Sequence, residues 1–325
     1  MNETKINPAF RSDTALKRVH LLQQTYSKNA NSAQAKFFEL RLLILRLTTL
    51  AAFLAVAHGE LEKYFAETNH QIVVIVGYFL IIVPIFTSVL IAGAIKLDKG
   101  SNWILLRGAS EALKKEMYLY RTQVGEYEKD RASKLVDRVK LICERFKGSP
   151  IHKSCLDPNE NELEEISKKD KKDLSSSLSS EEYISERLNS AFSYYRKNSK
   201  KLSKSLQLYQ WSIYLLGGLS TLLATTGLQA WVAVSSCLIG TVSSFLELKR
   251  IEATLVGYNQ AGDDLYNINV FWDSLDDETR KKPDNIKKLV ETTERAIQSE
   301  NNSWLQDMQD KLKELYGVDN KDTKN

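Results

Sequence analysis

The side chains that most often carry out chemistry are few and scattered in this chain of 325 residues. Its four histidines, His20, His58, His70 and His152, show neither an HExxH motif nor the spacing of metal ligands. Its three cysteines have no CxxC spacing, and we interpret them as small packing residues rather than zinc ligands or disulfide partners. We therefore predict no catalytic residue, no metal site and no cofactor.

Two other patterns that can bind a substrate have simpler explanations here. Gly217 and Gly218 lie inside an apolar run without GxGxxG or a following lysine, which favours helix packing over phosphate binding. Glu162, Glu164 and Glu165 lie in a polar segment and are interpreted as solvated charge. The net charge of +4 is too small to indicate a nucleic-acid partner. Together these observations predict a non-enzymatic protein.

A more distinctive pattern consists of small residues spaced three or four apart within long apolar stretches, which places them on shared helix faces. Such faces let helices approach closely, and hydroxyl groups can hydrogen-bond across them. Polar faces of this kind can also line a water-filled path in an oligomer, and this alternative stays open. The candidates for packing or for facing a pore are Ser88, Ala92, Gly217, Ser220, Thr221, Ser236, Gly240 and Ser244.

The elements that carry these faces are predicted to be membrane spans. Neither Gln71–Ile95 nor Ser205–Leu246 contains a charged residue or a histidine, and about 20 helical residues are enough to cross a bilayer core of ~30 Å. Arg46 interrupts an earlier apolar stretch, and we expect its side chain to snorkel to the headgroups. The four predicted spans cover about residues 37–57, 72–95, 208–224 and 231–246.

Basic residues beside the spans predict their orientation. Lysines and arginines cluster before the first and third spans and after the second and fourth. Residues 59–70, between the first two spans, carry three glutamates and one lysine. By the positive-inside rule, both termini and the middle of the chain should be cytoplasmic. The first 30 residues contain no apolar signal-peptide core, so we expect no secretory signal peptide. The predicted spans make the expected location a cell membrane that the chain crosses several times.

The order of the elements predicts an internal duplication. Tyr26-Ser27-Lys28-Asn29 precedes the first pair of spans, Tyr195-Arg196-Lys197-Asn198 precedes the second, and a helix rich in aromatic residues follows each pair. The predicted fold is an all-α membrane protein with two two-helix transmembrane hairpins and long cytoplasmic helices. The predicted parts are a first unit (1–147), a flexible linker (148–182), a second unit (183–283), and an amphipathic helical region with a disordered tail (284–325).

The first unit resembles the SLATT superfamily, the SMODS and SLOG-associating two-transmembrane effector domains. The similarity is best over about residues 15–130. Over about residues 183–275 it is carried by Tyr258-Asn259-Gln260-Ala261 and Trp272, without the Trp-x3-Arg pattern, and it implies a tandem copy. The most specific part of the resemblance is the helix after the first hairpin, whose motif residues are Trp103, Arg107, Glu111, Lys114, Tyr118 and Tyr120.

The resemblance implies a function that the spacing of residues does not. SLATT proteins are bacterial and are thought to act as pore-forming or membrane-perturbing effectors in conflict systems, including antiphage defence. The expected partners are the lipid bilayer, further copies of the same chain, and a separate sensor or nucleotide-signal synthase, with no nucleic acid. A membrane-anchored scaffold for cytoplasmic partners and a small channel or transporter remain alternatives.

Overall fold

The computed structural model describes residues 8–65, 70–96, 99–144 and 177–316, which form helices and turns without any strand. The predicted linker (148–182) falls mostly, and the disordered tail entirely, outside the described residues. A 3-10 turn covers Gly125–Glu128 and a π-helical turn covers Ile184–Leu188. The α-helices are α1 (Pro8–Phe65), α2 (His70–Lys96), α3 (Lys99–Thr122), α4 (Arg131–Glu144), α5 (Ser180–Tyr183), α6 (Asn189–Thr225), α7 (Gln229–Leu248), α8 (Ile251–Asp273), α9 (Asp277–Arg280) and α10 (Pro283–Tyr316).

The chain divides into two compact units, each assembled from three separate segments. The first, here called the polar unit, comprises Met1–Gln34, Gly100–Ser199 and Val256–Asp310. The second, here called the apolar unit, comprises Ala35–Lys99, Lys200–Leu255 and Lys311–Asn325. Helices α1, α6, α8 and α10 each contribute residues to both units.

An apolar core holds α1, α3 and α4 together in the polar unit. Leu113 and Leu135 are fully buried in this core, and Leu16 is almost so. On α3 the buried apolar residues recur every three or four positions, which gives the helix one continuous core face. Gln23 on α1 adds a polar contact, because its Nε2 donates to Ser110 Oγ on α3 at 2.9 Å.

Helix α10 packs along the other side of α3. Its buried residues Leu289, Val290 and Ile297 follow the helical period that the sequence shows between residues 284 and 316. Gly108 of α3 provides room for α10, since a Cβ atom there would lie only 3.0 Å from Leu305 Cδ1. The C-terminal helix is therefore an integral part of the polar unit.

The described end of the predicted linker is ordered. Leu178 is buried, and its backbone N–H donates to the Arg121 carbonyl oxygen at 2.9 Å. Ser179 then caps α5 in a reciprocal capping box with Glu182. Leu178 and Ser179, which belong to the predicted linker, thus contact α3 and begin α5.

Three stretches of the described residues are long and apolar enough to cross a membrane, judged by length and composition: Thr14–Tyr64, His70–Ala94 and Gln229–Asp273. They contain the predicted spans at 37–57 and 231–246 and all but the last residue of the span predicted at 72–95. The predicted span at 208–224 lies in α6 and is not among them. The described residues thus contain three helical candidates for crossing a membrane, and the span at 208–224 stays a prediction.

Sparse contacts connect α1 to α7 in the apolar unit. The hydroxyl groups of Thr49 and Thr241 lie 2.7 Å apart and form a hydrogen bond between the two helices. The rings of Phe53 and Trp231 meet edge to face, with centroids 5.6 Å apart. Because α1 and α7 run antiparallel, these contacts fall at successive levels along the same interface.

Helix α7 also packs on α6, to which a short turn connects it. The rings of Tyr209 and Phe245 lie 5.5 Å apart. Between the helices Gly227 has a φ of +82°, a left-handed conformation that glycine adopts without steric cost. The residues Thr225-Thr226-Gly227 therefore lie where α6 ends and the chain reverses towards α7.

Candidate functional site

Two glycines of the predicted small-residue faces have open space beside them. A Cβ atom added to Gly217 or Gly240 would meet no described atom within 4 Å outside its own helix. Gly217 and Ser220 are half-buried, whereas the exposed members are Ser88, Ala92, Thr221, Ser236, Gly240 and Ser244.

Two hydroxyl groups on these faces are satisfied within their own helices. Ser88 Oγ donates to the Pro84 carbonyl oxygen at 2.9 Å, and Thr221 Oγ1 donates to the Gly217 carbonyl oxygen at 3.2 Å. Such back-bonding lets a hydroxyl face lipid without an unsatisfied donor. The presence of these hydroxyls is thus compatible with a lipid-facing or subunit-facing surface and does not require water.

Gly77, a small residue that the sequence analysis missed, lies where α2 approaches α1 closely. A Cβ atom on Gly77 of α2 would lie 3.2 Å from His58 Nε2 on α1. Gly77 has no small neighbour at four-residue spacing, so its only sequence signal is a glycine inside an uncharged span. The Thr49–Thr241 pair was missed as well, because its members are 192 residues apart.

The motif residues of α3 divide between an apolar core and a cavity. Trp103 is fully buried, with its ring 5.3 Å from that of Trp304. Tyr120 is buried too, with its ring 5.8 Å from that of Tyr127. The remaining motif residues recur every three or four positions and so share another face of α3. They line a cavity of about 330 Å³ in the polar unit, here called the polar cavity: Arg107, Glu111, Lys114 and Tyr118.

The other walls of the polar cavity come from the C-terminal half of the chain. The π-helical turn supplies Glu186 and Arg187, and such turns are frequent at functional sites. Their carboxylate and guanidinium groups therefore reach the cavity from an irregular part of the backbone. The remaining contributors are Ser190, Ala191, Tyr194 and Tyr195 from α6, Tyr258 from α8, and Ile297, Glu300 and Asn301 from α10.

A buried ion pair adjoins the cavity. Arg187 donates twice to Glu294, from Nε to Oε1 and from Nη2 to Oε2, both at 2.8 Å. Burial lowers the pKa of Arg187, but the charge of Glu294 outweighs burial, so the pKa lies above its ordinary value. Tyr183 adds a third hydrogen bond to Glu294, at 3.0 Å, and the Arg187 guanidinium lies 4.8 Å from the centre of the Tyr118 ring. This network joins α3, α5, the π-helical turn and α10.

Glu300 is the carboxyl group of the cavity whose protonation changes near neutral pH. Burial raises the pKa of Glu300 to about 7, against the hydrogen bond from Tyr195 and the charge of Arg107. The Tyr195 hydroxyl donates to Glu300 Oε2 at 3.1 Å, and burial together with the Glu300 charge raises the pKa of Tyr195. Burial also lowers the pKa of Lys114. The cavity therefore contains groups that respond to small changes in their surroundings.

The side chains that line the polar cavity connect several helices, and some of them can bind or release a proton. The Arg107 guanidinium stacks on the Trp304 ring at 4.5 Å, so the motif helix and α10 share a cation–π contact as well as the cavity. Among the residues that the structure describes, no group of three or more His, Cys, Asp or Glu side chains could hold a metal ion. The arrangement suits the transmission of a structural change between helices.

Glu294 carried a sequence signal that was overlooked. The apolar positions Val290 and Ile297 define one face of α10, and Glu294 occurs between them on that face. A carboxylate on the apolar face of an amphipathic helix indicates a buried partner. Arg187 had no comparable signal, because its partner lies 107 residues away.

Comparisons with known families agree with a membrane-effector domain in the C-terminal half. Residues 183–304 match the family described as SMODS and SLOG-associating 2TM effector domain 1. Residues 23–134 match DUF4231, a family of unknown function. No curated protein and no solved structure matches the chain.

The two family matches fall on other parts of the chain than the sequence resemblance predicts. The SLATT match covers the half with the weaker expected similarity, and it continues into α10 as far as Trp304. The half with the stronger expected similarity matches DUF4231 instead, so a tandem copy stays a prediction. Every cavity wall outside α3 lies inside the SLATT match. Residues 183–304 are thus similar to the SLATT effector domains.

Proposed function

We propose that this chain is a non-enzymatic membrane effector of a bacterial conflict or antiphage system, and that it assembles in the inner membrane and perforates it. The observation that carries the proposal is the apolar surface of α2, where Ile81, Ile85 and Val89 are 61%, 60% and 62% exposed. A contiguous surface of this kind is unstable in water and suits the acyl chains of a bilayer. The match of residues 183–304 to the SLATT effector domain supports the effector role.

The proposed topology places both termini in the cytoplasm. Supporting it, Lys200, Lys201 and Lys204 precede the apolar part of α6, whereas Glu60 and Glu62 stand at the far end of α1. Basic residues favour the cytoplasmic side of a membrane. The polar unit, including the cavity, is then also cytoplasmic.

The proposed assembly is a homo-oligomer that packs through the small-residue faces. Ser236, Gly240 and Ser244 are exposed along one side of α7, and Gly240 has open space beside it. Small residues allow close helix approach in lipid, where association depends on packing and hydrogen bonds. The open faces are therefore proposed to accept α7 or α6 of a neighbouring copy.

The proposed control point is the polar cavity. Arg107, Glu111, Lys114 and Tyr118 face the charged residues of the π-helical turn and of α10 across it. A separate sensor or nucleotide-signal synthase is the proposed source of the activating input. Substitution Arg107→Ala should alter toxicity without reducing membrane insertion, because Arg107 lies outside the apolar stretches.

A potential-sensitive dye read during induction in a bacterial host tests the proposal. We expect the inner membrane to depolarise and growth to stop, with candidate partner genes co-expressed. Strong membrane-localised expression that leaves the potential intact would contradict the pore and favour a membrane-anchored scaffold. Substrate-dependent uptake into liposomes without ion leakage would instead favour a small transporter.

Two leucine substitutions separate assembly from insertion. Gly240→Leu should reduce both cross-linking between copies and depolarisation, because the new side chain keeps the proposed helix pair apart. The control is Gly218→Leu, at a helical glycine that is likewise open but lies beside the exposed apolar side chains of α6. Equal behaviour of the two variants would exclude the α7 face as the subunit contact.

A further inference from the structure

One face of α6 changes from lysines to apolar side chains within a single helical turn. Lys200, Lys201 and Lys204 are exposed. With 3.6 residues per turn, they lie within about a third of the helix circumference, and the exposed apolar residues that follow occupy the same sector. These residues and their exposed fractions are Leu208 (65%), Trp211 (65%), Leu215 (70%), Leu219 (47%) and Leu222 (63%).

The opposite side of α6 faces its own unit. Tyr209, which is on that side, packs its ring 5.5 Å from the ring of Phe245 on α7. The lysine face is therefore directed away from α7, and its ammonium groups are accessible from outside the apolar unit.

Further cations lie at the same end of the apolar unit. The ammonium group of Lys249 lies 4.8 Å from the centre of the Phe245 ring and 5.5 Å from that of Phe38. Lys36, two residues before Phe38 on α1, is exposed.

The carboxylates at this end of the described residues are fewer than the cations. They are Glu39, Glu247 and Glu252, and Glu247 is already bonded to Lys311. The balance of charge at this end is therefore positive and suits an anionic partner.

We propose that Lys200, Lys201 and Lys204 bind the phosphate oxygens of anionic phospholipid headgroups, with Leu208 and Trp211 just inside the bilayer. The inference rests on the proposed membrane insertion and adds a lipid preference to it. The step of four residues from Lys204 to Leu208 rises about 6 Å, close to the ~5–8 Å thickness of one headgroup layer. Trp211 then lies near the interface, where tryptophan is enriched.

Quenching of Trp211 fluorescence by brominated lipids measures this preference directly. The full chain is reconstituted into phosphatidylcholine vesicles that contain phosphatidylglycerol, with either lipid brominated in turn. Subtracting the signal of Trp211→Phe isolates the contribution of Trp211. We expect a preference for phosphatidylglycerol of up to about a hundredfold at low salt, since each of the three basic residues near an anionic surface contributes roughly fivefold. Salt should weaken the preference, because it screens exposed charges.

Three matched variants locate the preference on the lysine face. Lys200→Gln/Lys201→Gln/Lys204→Gln should bring the ratio close to one, and the corresponding triple arginine variant should preserve it. The control, Lys281→Gln/Lys282→Gln/Lys287→Gln, removes three exposed lysines of the polar unit and should leave the ratio unchanged. An unchanged ratio in the first variant, or an equal loss in the control, overturns the proposal.

Two additional outcomes identify the partner and keep the two proposals apart. If a short DNA duplex binds the detergent-solubilised chain through these lysines while the lipid ratio does not depend on them, the surface is a nucleic-acid site and the lipid proposal fails. Ion release from the same vesicles is read in parallel. Lipid preference without ion release contradicts only the pore, and ion release without lipid preference contradicts only the headgroup site.

Discussion

Two tyrosines at matching positions of the Tyr-x-Lys-Asn segments have different partners. The Tyr26 hydroxyl lies 3.8 Å from the Cys143 sulfur, an uncharged contact between α1 and α4. The Tyr195 hydroxyl donates to the Glu300 carboxyl group at 3.1 Å, next to the polar cavity. Similar local sequence therefore serves apolar packing in the N-terminal half and a titratable network in the C-terminal half.

The surroundings of the two tyrosines differ in the same way. In the N-terminal half, Leu113 and Leu135 are fully buried in an apolar core. In the C-terminal half, the buried Arg187–Glu294 pair occupies a central position. Burial of apolar area stabilises without directional requirements, whereas a buried ion pair depends on both partners being present. The C-terminal half should therefore respond more strongly to loss of a single charge and to pH.

Among these variants, Arg187→Ala should cause the largest loss of stability. It leaves Glu294 buried without its cation, which costs about 3–5 kcal/mol in the free energy of unfolding. The double variant Arg187→Met/Glu294→Leu should recover most of that loss, because it removes both charges. Thermal unfolding of the detergent-solubilised protein measures both variants, and a loss below about 1 kcal/mol for Arg187→Ala would show that the pair is not a central contact.

Glu300 should make the stability of the C-terminal half depend on pH. Its pKa is raised from 4.5 to about 7 in the folded chain, so the folded state retains a proton that the unfolded state releases. Its contribution is fully present below pH 4.5 and is lost as the pH rises through about 7. The loss at pH 8 amounts to at most about 3 kcal/mol.

The matched test of this pH dependence is Glu300→Gln. Glutamine can still accept the Tyr195 hydrogen bond but cannot ionise, so the variant should lose less stability than the original chain between pH 5 and pH 8. Melting temperatures across that range, compared between the two proteins, check the prediction. Parallel pH profiles would mean that Glu300 titrates in its ordinary range.

The two tyrosine hydroxyls can be removed separately. Tyr195→Phe should cost about 1–2 kcal/mol, because Glu300 loses a donor in a partly buried site. Tyr26→Phe should cost less than about 0.5 kcal/mol, because a thiol is a weak partner. The melting temperatures of the two variants at pH 8 test this prediction. Equal losses of stability would contradict the proposed difference between the N-terminal and C-terminal halves.

Alanine substitutions at two glycines that face α10 should produce the smallest difference in stability. A Cβ atom on Gly257 would lie 3.8 Å from Glu300 Cγ, an ordinary contact, so Gly257→Ala should gain about 0.5–1 kcal/mol through helix propensity. A Cβ atom on Gly108 would lie 3.0 Å from Leu305 Cδ1, so Gly108→Ala must displace that side chain and should gain less or lose stability. A larger gain for Gly108→Ala would show that α3 and α10 pack loosely at this point.

The apolar helices and the faces of the amphipathic helices could be predicted from the sequence, because both follow from residues that are close together in the chain. An uncharged run predicts α2, and the apolar period of residues 284–316 predicts α10 closely. The spacing of Arg107, Glu111, Lys114 and Tyr118 predicts their common face on α3, and the structure places that face along a cavity. The span proposed in α6 is harder to judge by composition, because serine, tyrosine and glutamine residues lower its mean hydropathy.

The contacts of the small residues could not be predicted from their spacing. Their spacing indicates a shared face, but it does not say what the face contacts. The faces around Gly217 and Gly240 are open, while Gly77, outside any such pattern, approaches His58 closely. Which glycine permits a close contact depends on the helix opposite, and that helix is remote in sequence.

The sequence by itself determined that this protein has helices suited to a membrane, since hydrophobicity and helical period are properties of consecutive residues. It also supplied the resemblance to SLATT, through short motifs. Only the tertiary structure decided that Arg187 pairs with Glu294 and that Tyr195 donates to Glu300, more than 100 residues away in each case. The physical reason is that burial and pKa values depend on groups brought together by folding, whose identity local spacing does not encode.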